Sequence, residues 1–107
     1  MTPIEYQIKV RRTAKSDDPR DQRILNWALG LTGEAGEVAN KIKKQTFHGH
    51  GENADEIADE VGDVLWYVAM LLDEYGYNLE QVMLQNIHKL EQRYPERFDP
   101  ERSRFRV

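Results

Sequence analysis

Two long segments, residues 20–45 and 54–75, repeat apolar residues every three or four positions, and each carries a pair of acids beside that repeat. In the first the stripe is Ile24, Ala28, Leu31, Ala35, Val38 and Ile42; in the second it is Ile57, Val61, Val64, Leu65, Val68, Leu71 and Leu72. Such spacing lines one face of an α-helix and does not fit the alternation of a strand. The acids fall in Glu34-Ala-Gly-Glu37 and Glu60-Val-Gly-Asp63. Residues three apart are neighbours on a helix, so each motif presents two carboxylates side by side. Two such helices facing each other bring four carboxylates together. Uncompensated, that cluster repels itself and is costly to desolvate, so it is either solvated or holds cations.

The rest of the chain supplies boundaries. Thr2-Pro3-Ile4-Glu5 reads as a capping box with proline in the first turn, which predicts a first helix to about Thr13. The polar stretch from Ala14 to Arg20 interrupts the pattern, and Asp18-Pro19 repeats the cap-then-proline signal for a second helix to about Gln45. His48-Gly-His50-Gly51 makes the main loop, because two glycines so close oppose continued helix. Asn53 caps a third helix to about Tyr75, where Gly76 stops it. Asn78, with Gln81 three residues on, caps a fourth to about Arg93, on the pattern Leu79, Val82, Met83, Ile87 and Leu90. The tail 96–107 has no clear period and is expected to be irregular or flexible. The expectation is a single all-α domain over 1–107, a four-helix bundle completed by oligomerisation, since a chain of 107 residues with 39% apolar content has a thin core.

Composition narrows the function. With no cysteine there is no disulfide and no thiolate chemistry, and a reducing cytoplasm is the expected setting. No segment approaches the roughly 20 apolar residues of a membrane span, and the N-terminus lacks a signal-peptide pattern. A net charge of −4 argues against broad nucleic-acid binding but leaves room for a local basic site.

At about 100° per residue, Glu34, Glu37, Lys41 and Lys44 share one sector roughly 80° wide beside the second helix's stripe. Glu37 and Lys41 are also a favourable i,i+4 ion pair, which is the bland reading of that sector. On the third helix Glu60 and Asp63 group with Tyr67 and Met70 on a flank of the core stripe, with Trp66 on the far side. A helix with bulky apolar groups around so much of its circumference is expected to be buried on more than one side. Asp55 and Asp59 read as solvated, and Glu56, one turn before Glu60, as an outer partner of the acids. Gly30, Gly33, Gly36 and Gly62 sit inside these helices at a cost of about 1 kcal/mol each, which close helix packing or room beside the carboxylates would offset.

Oxygen-only ligands suit a hard cation, Mg²⁺ or Mn²⁺. A di-iron bundle needs Glu-x-x-His, which neither motif offers, and no EF-hand, phosphate-loop or H-E-x-x-H pattern occurs. Carboxylate-held Mg²⁺ keeps positions open for phosphate oxygens, so a phosphate compound is the expected ligand. The fourth helix offers donors for one: Asn86, Lys89 and Arg93 lie on one side of its stripe, equally consistent with a solvated face. His48 and His50 read as ordinary loop residues. Trp27, seven residues before Glu34, is a candidate for stacking on a base, although tryptophan so placed is more often core.

The set Leu29-Gly-Leu-Thr-Gly-Glu-Ala-Gly-Glu-Val38, Lys43-Lys44, Phe47-His-Gly-His50, Glu60-Val-Gly-Asp-Val-Leu-Trp-Tyr67, Asn86-Ile-His-Lys-Leu90 and Arg93-Tyr-Pro95 resembles the MazG-like nucleotide pyrophosphohydrolases. The resemblance runs from about Tyr6 to Phe98. It implies an all-α dimer or dimer of dimers that hydrolyses nucleoside triphosphates, often deoxynucleotides or damaged ones, to monophosphate and pyrophosphate. It further implies that Glu34, Glu37, Glu60 and Asp63 bind Mg²⁺, that Lys41 or Lys44, Lys89 and Arg93 contact phosphates, and that Asn86 faces the nucleotide. Many members begin the first motif with two adjacent acids, where this chain has Gly33 before Glu34, so a multi-metal site is less secure. Glu37 and Glu60 are the expected catalytic carboxylates, with Glu37 the candidate base. The competing reading is a helical module that binds nucleotides without hydrolysing them.

Overall fold

Each helix begins and ends where local chemistry interrupts its pattern. The computed structural model describes residues 1–105, and within them the order is α1 (Pro3–Thr13), α2 (Arg20–Phe47), α3 (Ala54–Glu74), α4 (Leu79–Arg93) and α5 (Pro100–Arg104), with no strand. The capping boxes at Thr2 with Glu5 and at Asn78 with Gln81 both form, and Asn53 caps α3 by accepting from the Glu56 amide at 3.1 Å. Gly76 ends α3 in the left-handed region at φ 77°, which lets the Tyr77 amide reach back to the Leu72 carbonyl at 3.1 Å.

Two expectations need correction. Asp18 does not cap α2: Pro19 holds the N-cap position with no side-chain bond to the first turn. The Asp18 carboxylate instead approaches Lys15 at 3.6 Å, and its carbonyl accepts from Arg23 Nη1 at 2.7 Å. The tail is not wholly irregular, because Asp99 accepts from the Glu101 amide at 2.9 Å and Pro100 starts the short helix α5. A helix of 5 residues is too short to show an apolar period, although its Asp-Pro start is the same signal as elsewhere. The fold therefore has a fifth helix beyond the four expected; residues 106–107 of that tail lie outside the described residues.

The helices α2 and α3 form the dominant packed pair, an antiparallel hairpin across the loop 48–53, while α1 packs on α3 and α4 on α1. Val10, Trp27, Ala69 and Met70 are the buried centre, flanked by Tyr6, Ala14, Trp66, Tyr67 and Leu71. Trp66 thus turns inward, not to the far side, and stacks edge-to-face on Trp27 and Tyr67 with centroids 5.5 and 4.9 Å apart. Its indole donates to Thr13 Oγ1 at 2.8 Å, because α1 covers that side of α3. Met70 is likewise in the centre instead of on a flank.

Polar ties hold the periphery. Buried Gln7 donates to the carbonyls of Ala69 and Tyr77 and accepts from the Leu79 amide, so one side chain joins α1, the end of α3 and the start of α4. Glu74, with its side chain 10% exposed, takes a bidentate pair from Arg23 (2.7 and 3.0 Å) and the Trp27 indole at 3.2 Å. Arg23 and Trp27 hold the Glu74 carboxyl below its usual range, Arg23 contributing most.

The radius of gyration, 17.1 Å, exceeds the roughly 13 Å of a compact chain of this length. Leu25, Leu29, Leu84 and Ile87 are all more than half exposed.

Of the glycines inside helices, Gly30 has a specific reason. A Cβ there would collide with the Tyr67 ring, so α2 approaches α3 through the absence of a side chain. Gly30→Ala gains up to ~1 kcal/mol of helix propensity but overpacks the hairpin, typically at about 1–3 kcal/mol. A net loss of stability in urea denaturation is expected, and a smaller loss in a Tyr67→Leu background, since removing the ring relieves the clash.

Candidate metal centre

The seat of Tyr67 on Gly30 sets the register of the acids. One turn along α2 from Gly30 is Glu34, and one turn back along α3 from Tyr67 is Asp63. Because the helices run antiparallel, those turns face each other. Glu34, Glu60 and Asp63 each offer an oxygen, and the three oxygens lie within 4.8 Å of one another. Glu34 and Glu60 are half-buried and Asp63 is exposed. A cleft of about 300 Å³ opens on the cluster, lined by Glu34, Asp63, Trp66 and Tyr67.

The structure brings together three of the four expected ligands. Glu37 is exposed, stands one turn along α2 outside this cluster, and lines a neighbouring cleft of about 420 Å³ with Asn40, Lys44, His50 and Glu56. The i,i+4 pair of Glu37 with Lys41 does not form. Lys41 reaches across to α3 instead, with Nζ 2.7 Å from Glu56 and 3.0 Å from Glu60. Two carboxylates on the facing helix outcompete one on its own helix, and Glu56 is indeed a partner at the edge of the acids. Lys44 remains in the neighbouring cleft.

The electrostatics divide the cluster. Partial burial raises the Glu34 carboxyl above its usual range, reinforced by its hydrogen bond with Glu60 and by the charges of Asp63, Glu60 and Glu37. Glu60 is held below the usual range, chiefly by its bond to Lys41, against an opposing contribution from desolvation. The two carboxylates hold Lys41 firmly protonated. Tyr6 of α1, not singled out from sequence, has its hydroxyl raised by burial and then by the charge of Asp63, which marks it as a neighbour of the cluster. An oxygen-only set carrying more negative charge than Lys41 compensates fits a hard divalent cation.

The remaining candidates lie elsewhere. Trp27 is 3% exposed at the centre of the core, its indole engaged by Glu74, which leaves no ring face open to a base. The substrate-stacking expectation for Trp27 is therefore corrected to a packing role: the aromatic cluster with Trp66 and Tyr67 claims its surface. Asn86, Lys89 and Arg93 lie on α4, which packs on α1; Asn86 is exposed, and Lys89 and Arg93 line a separate cleft against α5. No described helix is long and apolar enough to cross a membrane.

Fold and site together define an all-α protein whose longest helices converge carboxylates suited to a hard cation. The family model of the MazG nucleotide pyrophosphohydrolase domain matches residues 22–98, and the chain belongs to that family. It is similar to the "Gene 37 protein" of Mycobacterium phage L5, 45% identical over 96 residues that cover 82% of this chain and 84% of the relative. It is also similar to the "Uncharacterized protein YvdC" of Bacillus subtilis strain 168, 33% identical over 73 residues covering 60% of this chain and 69% of the relative. No solved structure matches it.

The raised Glu34 carboxyl has a pH consequence. The folded chain binds that proton more tightly than the unfolded one, so its ionisation destabilises the fold above its folded pKa, a penalty that fades as pH falls into the ordinary carboxylate range. Glu34→Gln, measured without divalent cation, should raise the melting temperature at pH 7, with the gain shrinking as pH is lowered. A gain independent of pH would contradict this charge coupling.

Proposed function

We propose that this protein hydrolyses nucleoside triphosphates, deoxynucleoside or non-standard ones, at the α–β phosphate linkage to nucleoside monophosphate and pyrophosphate. The carrying observation is the convergence of Glu34, Glu60 and Asp63 in a chain of the MazG family. These three would hold Mg²⁺, with Mn²⁺ as a substitute, and Glu37 would complete the set from the next turn. When bound, the cation neutralises triphosphate charge and acidifies a water.

The chain's own residues have separable tasks. Lys41 holds the Glu60 carboxyl below its usual range and so favours the carboxylate form that a cation needs. Glu37, exposed and outside the three-carboxylate cluster, accepts the proton of the attacking water. Lys44, Lys89 and Arg93 bind phosphate oxygens and offset charge on the departing pyrophosphate, and Asn86 contacts the nucleotide. We further propose that the chain acts as one domain, in the cytoplasm, as a dimer or dimer of dimers. The exposed Leu25, Leu29 and Ile87 and the open shape support assembly, since apolar side chains distributed this way are left without cover in one copy.

A panel of nucleoside triphosphates with Mg²⁺, analysed for monophosphate against diphosphate, tests the reaction and separates it from binding without turnover. Glu60→Gln should lower pyrophosphate release by at least ~10³-fold with unchanged helical circular dichroism. Undiminished Mg²⁺-dependent release from that variant would sink the assignment.

A further inference from the structure

The C-terminal segment places a cation that the reading above does not use. A cleft of about 430 Å³ between α4 and α5 is lined by Lys89, Gln92, Arg93, Arg102 and Phe105. Three cationic side chains from two helices therefore share one concavity. Among the described residues none of the three forms an ion pair with a carboxylate, whereas Arg11, Arg23 and Lys41 all do. Cations that share a concavity and pair with no carboxylate suit an anion.

The segment that brings Arg102 there is locally built. The Tyr94 and Phe98 rings pack 5.2 Å apart, Asp99 caps α5, and the Arg93 guanidinium lies 5.9 Å from the Tyr94 ring centroid. The turn after α4 is thus held by its own aromatic pair, and α5 brings Arg102 to the cleft beside α4. Guanidinium groups present paired donors matched to phosphate oxygens, and Lys89 adds a point charge. Phe105 gives the cleft one apolar wall.

We propose that Arg102 of α5 completes, with Lys89 and Arg93, a binding site for the phosphate chain of the substrate, so that the C-terminal segment is a substrate-binding element. The proposal rests on the triphosphate reading for its ligand, but the cleft can be tested apart from turnover. Calorimetric titration of the full chain with inorganic tripolyphosphate, without divalent cation, isolates the cationic cleft from the carboxylates. Arg102→Ala should weaken binding roughly 10-fold or more, and Arg102→Lys should recover part of it. With an active triphosphate substrate, Arg102→Ala should raise KM by a similar factor while kcat changes less. If no triphosphate is hydrolysed but Arg102 still governs tripolyphosphate affinity, the hydrolase reading fails and the cleft stands. Tripolyphosphate affinity and KM both unchanged by Arg102→Ala would overturn the proposal.

Discussion

Everything at the acidic cluster depends on how closely α2 approaches α3. Gly30 offers bare backbone, the Tyr67 ring occupies that space, and the contact locks the antiparallel register of the hairpin. A slip of one residue in either helix would turn its acid about 100° away from the facing helix. The contact sits about one turn from both Glu34 and Asp63, so the packing that excludes a Cβ also determines which carboxylates meet. The aromatic cluster of Trp27, Trp66 and Tyr67 stiffens this point from behind, with α1 covering it through Thr13 and Val10.

That geometry gathers negative charge, and Lys41 compensates only part of it. Its ammonium bridges Glu56 and Glu60 and leaves Glu34 and Asp63 without a cationic partner among the described residues. The outcome is a graded cluster: relative to an ordinary carboxyl, Glu60 favours the ionised form and Glu34 the protonated one. A bound divalent cation would reverse the second preference, since its charge favours the carboxylate form. The far end of the hairpin shows the contrasting case. Glu74 has Arg23 and the Trp27 indole as full partners, so its charge is satisfied within the fold and it serves as an anchor.

Much of the site was legible in the residues. Helix periodicity and the spacing of Glu34, Glu60 and Asp63 were enough to place them beside the core stripes, and the oxygen-only set limited the cation class. The partner of Lys41 was not legible, because helical phase ranks neighbours on one helix and says nothing of a competing helix. Trp66 was placed on the wrong side for the same reason: phase locates a residue on a helix, and only the position of α1 decides which face is covered. Tyr6 and Gln7 carried no signal, since a single polar or aromatic residue on a short amphipathic helix looks ordinary until its partners are known. Trp27 could be read either way until the ring was seen to be enclosed. The α5 turn announced itself only by Asp99-Pro100, a dipeptide too brief to weigh against the surrounding arginines.

By itself, the sequence determined the first four helices, the caps and stops at Thr2, Asn53, Gly76 and Asn78, and the pairing of acids on single faces, because these follow from interactions within four or five residues. It also carried the family, through motifs spread over most of the chain. Only the tertiary structure decided that three carboxylates converge while Glu37 stands aside, that Lys41 turns to α3, and that Arg102 joins Lys89 and Arg93. Those outcomes depend on the distance and register between helices, which are set by side-chain volume at contacts far apart in sequence, such as an absent Cβ at Gly30 beneath the ring of Tyr67.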